Sequence, residues 1–95
     1  GPERDGEDKP IEVVLTLDRP DARTVSVIGS FNNWEAGATP MERDENGLWK
    51  VRFFIRAGRY TYKFLVDGKI RLPDPNAPAR EPDGFGGENS VLIVE

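Results

Sequence analysis

The chain has 95 residues, 37% hydrophobic and 32% charged, which fits one domain with a modest core and no deep catalytic cleft. It contains neither cysteine nor histidine, which excludes disulfides, thiol nucleophiles, Cys or His metal ligands and histidine bases. Thirteen Lys and Arg against seventeen Asp and Glu give a formal charge of −4, a poor balance for binding nucleic acid phosphates.

Residues 1–10, GPERDGEDKP, are charged and lack large apolar side chains, so they read as a flexible lead-in. The start Gly1-Pro2, without an initiator Met, reads as a cleavage scar, and the chain is expected to be part of a larger protein. From Ile11 the pattern becomes period two. Ile11, Val13, Leu15 and Leu17 share one face of a half-buried strand, and Val25 and Val27 begin a second. A short segment follows around Thr39 to Glu42, and Asn46-Gly47 marks a hairpin turn. Trp49, Val51, Phe53 and Ile55 then alternate with charged residues, with Phe54 on the polar side. Trp49 is therefore read as a core residue. Tyr60, Tyr62, Phe64 and Val66 form the next apolar row, read as core and rim, which leaves Lys63 facing outward. Asp67-Gly68 turns the chain into Lys69 to Leu72, and Asn89 to Glu95 forms the last strand.

No segment repeats at the helical period, and about seven short strands predict an all-β antiparallel β-sandwich over residues 11–95. Pro73 to Glu88 lacks periodicity, holds four of the eight prolines and reads as a long loop, the kind that carries function when ordered. The longest apolar run, Val91 to Val94, is too short to span a bilayer, so no membrane contact by this domain is expected. The carboxylates cluster in turns and linkers, with none in an apolar setting suited to glycosidase chemistry. The Gly-rich stretch Asp83 to Asn89 lacks the Lys-Ser/Thr of a phosphate loop and the alternating oxygen ligands of a calcium loop. No catalytic residue, cofactor or metal is expected.

Trp34 lies in GSFNNWEAG, among turn formers. Its position leaves open a core-filling role and an exposed ring for stacking on a ligand. The stretch VSVIGSFNNWEAGATPMERDENGLWKVRFFIRAGRYTYKFLVDGK, followed by DPNAP and GENSV, resembles carbohydrate-binding module family 48 from about Thr24 to Val94. This is the isoamylase N-terminal early-set type, found also in the β subunit of the AMP-activated kinase. The resemblance implies an immunoglobulin-like β-sandwich and non-catalytic binding of an α-1,4-linked glucan such as glycogen or starch. It places an aromatic platform at Trp34, hydrogen-bonding residues at Lys63 and Asn89, and a loop residue that inserts into the glucan turn at Phe85. The family's second tryptophan position falls on Ile70, where no flat ring is present. That departure keeps an alternative open, a protein-interaction or spacer sandwich with a degenerate sugar site.

Overall fold

A computed structural model describes residues 9–95; most of the expected lead-in, residues 1–8, lies outside the described residues. Eight strands follow in order: β1 (Ile11–Asp18), β2 (Val25–Gly29), β3 (Glu42–Arg43), β4 (Leu48–Ile55), β5 (Gly58–Val66), β6 (Ile70–Leu72), β7 (Ala79–Pro82) and β8 (Glu88–Val94). They form two antiparallel sheets, β1-β4-β3 and β2-β5-β8-β7, with β6 also paired to β5. The expected β-sandwich is present, with one strand more than the turn signals imply. The extra strand is β7, inside the segment read as a long loop. Its sequence Ala-Arg-Glu-Pro has no apolar alternation, and Pro82 sits at its end, opposite Glu88, on the sheet's outermost strand.

The core follows the alternation. Val13, Leu15 and Leu17 of β1, Val25 and Val27 of β2, Trp49 of β4, and Tyr62, Phe64 and Val66 of β5 form one buried cluster between the sheets. Trp49 is core, and its indole N–H donates to the Arg19 carbonyl (2.8 Å), which satisfies its one polar atom. Full burial of a side chain such as Phe64 contributes about 1.5–3 kcal/mol.

Strand β5 is the hub of the larger sheet. One edge pairs with β2 from Val25↔Val66 to Gly29↔Tyr62. The other edge is shared end to end: β8 pairs with its first half up to Ser90↔Tyr62, and β6 with its second half from Leu72↔Phe64. Lys63 stands at the junction of the two.

Asp74 corrects the reading that no carboxylate has an enclosed, apolar setting. It is buried and accepts the Tyr62 hydroxyl (2.6 Å), while its own amide donates to Ser90 Oγ (2.7 Å). Burial, together with the bond to Asp74 and its charge, raises the Tyr62 phenol above its ordinary pKa. This network fixes the start of the β6–β7 connection against β5 and β8.

Candidate functional site: a roofed cavity on the outer face of the larger sheet

The pleat sends alternate residues of each strand outward. On β5 these are Thr61, Lys63 and Leu65, and their cross-strand neighbours are Ile28 on β2 and Arg71 on β6. On β8, Asn89 precedes the inward Ser90 and so faces out beside Lys63. Ile28, Leu65 and Val91 are nonetheless buried, although none belongs to the inter-sheet core cluster. Two loops cover this face.

The first loop follows β2. Gly29 opens it where there is no room for a side chain: a Cβ there would lie 2.6 Å from the Thr61 carbonyl oxygen and 2.8 Å from Phe31 Cε1. Phe31 turns inward, stacked on Phe53 (centroids 4.9 Å) and edge-on to Tyr60 (6.1 Å). Asn33 and Trp34 then adopt left-handed backbone, φ +56° and +58°. For an indole-bearing residue that conformation costs about 1–3 kcal/mol and persists only where its surroundings enforce it. Asn32 supplies the enforcement. Its Oδ1 accepts the Gly29 amide (3.0 Å), and its Nδ2 donates to the Val27 carbonyl (2.9 Å) and Thr39 Oγ1 (3.0 Å). The Trp34 amide donates to the Gly29 carbonyl (2.9 Å). The chain thus reverses with Phe31 in the core and the Trp34 ring outside, 40% exposed.

The second loop joins β7 to β8. Asp83 Oδ1 accepts the amides of Phe85 (2.7 Å) and Gly87 (3.0 Å), and the Asp83 amide donates to the Gly87 carbonyl (3.0 Å). The tight turn lifts Phe85 into solvent, 95% exposed. Asp83 Oδ2 receives Lys63 Nζ at 2.6 Å, with the two side chains only 12% (Lys63) and 11% (Asp83) exposed. Lys63, expected to face outward, does so as an organised donor held by Asp83. Its bond, with those of the two amides, lowers the Asp83 carboxyl to about 2.

Between the loops lies an open cavity of about 410 Å³, lined by Ile28, Trp34, Lys63, Arg71, Asp83, Phe85 and Asn89. All four residues that the sequence reading places in a sugar site line it. Ile70 does not. Asp67 and Gly68 are left-handed (φ +55° and +69°) and the Lys69 amide returns to the Val66 carbonyl (3.0 Å). Pairing then resumes at Val66↔Ile70, so Lys69 is an extra residue in the turn and Arg71, opposite Leu65, reaches the outer face. Among the described residues no group of acidic side chains could hold a metal ion.

An apolar floor, one indole face, a second exposed ring and a few amide, ammonium, guanidinium and carboxylate groups suit a ligand with flat C–H faces and many hydroxyls. The sequence profile described as the glycogen recognition site of AMP-activated protein kinase matches residues 11–95. The chain belongs to this family. The chain is 34% identical over 73 residues to protein PTST homolog 2, chloroplastic, of Arabidopsis thaliana, covering 77% of this chain and 13% of that protein. It is 46% identical over 75 residues to the 1,4-alpha-glucan branching enzyme GlgB of Pseudomonas putida, covering 73% and 10%. It is also 36% identical over 78 residues to protein PTST, chloroplastic, of Arabidopsis thaliana, covering 78% and 26%. The domain therefore spans between a tenth and about a quarter of these relatives.

Sequence reasoning missed Asp83, Arg71 and Ile28 as wall residues of the cavity. Asp83 had a signal, an Asp followed by Gly in a Gly-rich turn, which is the setting for a side chain that caps backbone amides. Arg71 is found by counting alternate positions across the hairpin only once the extra turn residue, Lys69, is known.

Proposed function

We propose that the cavity binds an α-1,4-linked glucan, as in glycogen or starch, without chemistry on it, as one module of a longer protein. The supporting observation is the Trp34 ring, half-exposed and sharing one cavity with Lys63, Asn89 and the fully projecting Phe85. In this reading Trp34 packs on the C–H face of a glucose ring. Lys63 donates to hydroxyls, Asn89 donates and accepts, and Phe85 forms a lip that the glucan curves around. The glycogen recognition named in the family's description and the 1,4-alpha-glucan named for the GlgB relative agree with this ligand class.

Adding maltoheptaose should shift the amide signals of Trp34, Lys63, Phe85 and Asn89, and Trp34→Ala should abolish those shifts. Absence of any shift at millimolar ligand sinks the reading. The alternative, a protein-interaction sandwich, draws on Ile70, 47% exposed outside the cavity where the family carries its second ring. A glucan-silent domain that binds a partner chain is the outcome that favours it.

A further inference from the structure

We propose that Asp83 is itself a sugar-binding residue, and that the Lys63–Asp83 pair takes two neighbouring hydroxyls of one glucose unit. This assignment rests on the glucan reading above and sharpens it. Both side chains line the cavity and are otherwise enclosed. The count of lone pairs and protons leaves both groups with capacity on the cavity side. An ionised carboxylate has about four acceptor positions, two on each oxygen. Oδ1 uses both of its positions on the Phe85 and Gly87 amides, whereas Oδ2 receives Lys63 alone among the described residues. Lys63 Nζ carries three N–H donors and gives one to Asp83. The pair thus presents spare donors and a spare acceptor, with the two heavy atoms 2.6 Å apart.

Adjacent hydroxyls on a pyranose ring match that arrangement. One oxygen accepts from Nζ, and the other hydroxyl gives its proton to Oδ2. Charge-assisted bonds of this kind are the stronger class, and a ligand that leaves such a group unpaired is rejected sharply. A hydroxyl can satisfy Oδ2, whereas a phosphate or carboxylate at that place meets a like charge, so the diol that the pair takes is unmodified.

Gly87 keeps the pair accessible. A Cβ at that position would lie 2.9 Å from Asp83 Oδ2 and 3.5 Å from Lys63 Nζ. The fully built loop admits no side chain there without moving the acceptor.

The test uses Asp83→Asn, because an asparagine oxygen can still cap the Phe85 and Gly87 amides while its NH2 replaces the acceptor at Oδ2. With β-cyclodextrin as probe, D83N should keep the free-state Phe85 and Gly87 amide signals and bind about tenfold more weakly than wild type. Wild-type affinity with the loop signals unmoved assigns Asp83 to the loop alone and overturns the proposal. A second measurement needs no variant. Maltosides lacking the 2- or 3-hydroxyl of a glucose unit should bind wild-type protein at least about fivefold more weakly than the parent sugar. Equal affinity for all of them also overturns the proposal. If wild type ignores β-cyclodextrin at millimolar concentration, the glucan reading falls and this assignment with it. If wild type binds while D83N and the deoxy sugars change nothing, only the Asp83 assignment falls.

Discussion

On the three-stranded sheet the outward row is Glu12 and Val14 on β1 with Lys50, Arg52 and Phe54 on β4, and it stands in solvent. On the five-stranded sheet Ile28, Leu65 and Val91 also point outward, yet they are buried. The smaller sheet has the larger hollow, about 720 Å³, but its wall is mostly charged: Glu12, Glu42, Arg43, Asp44, Lys50 and Arg52 among others. The hollow of the larger sheet is about 410 Å³ and brings two aromatic side chains over an apolar floor. Volume does not distinguish a binding face here. The distinction lies in whether loops are fixed over the sheet, and both loops over the larger sheet are fixed by one side chain each, Asn32 and Asp83.

The two faces share a core, so the largest expected effect removes the comparison altogether. Phe64→Ala should cost about 3–5 kcal/mol in urea unfolding and disturb both faces together. Asn32→Ala should separate them. It removes three hydrogen bonds from the first loop, and the expected loss of about 1–3 kcal/mol should come with amide shifts centred on Trp34 and none on β1. Trp34→Ala should leave stability nearly unchanged and weaken maltoheptaose binding about tenfold or more by calorimetry. The matched pair Phe85→Ala and Phe54→Ala sharpens the contrast further. Both rings are exposed, Phe54 by 59%, and both changes should stay within about 0.5 kcal/mol in stability. Only the Phe85 change should reduce glucan affinity, by a few-fold.

The smallest effect is that of pH. The folded Asp83 carboxyl lies near 2, below its ordinary 3.8, so its contribution to the second loop is complete above the ordinary value. It disappears as the pH falls from about 4 through about 2. The Phe85 and Gly87 amide signals should hold steady from about pH 5 to 8 and move only in that acid window. A change centred near pH 6 would assign the loop to a different group.

The core was legible because period-two alternation over β1, β2, β4 and β5 reports which face is dry, and Trp49 followed from its phase alone. Strand β7 was not legible, because an outermost strand of Ala, Arg, Glu and Pro has no apolar face to report. The exposure of Trp34 depends on two consecutive left-handed residues, which local propensity disfavours and the Asn32 bonds impose. The Tyr62–Asp74 bond spans 12 positions and the Lys63–Asp83 bond spans 20, so neither leaves a local pattern. The family resemblance supplied Lys63, Phe85 and Asn89. It could not supply Asp83, whose role comes from the geometry of this particular turn.

Tyr62 and Ser90, the inward neighbours of Lys63 and Asn89, belong to the buried Asp74 network. The pleat therefore divides labour residue by residue along the same two strands. Positions 62 and 90 hold the architecture, while 63 and 89 line the cavity. Residues 63, 71, 83, 85 and 89 of the cavity wall all lie outside the inter-sheet core cluster, so the wall can be altered without exchanging a core residue.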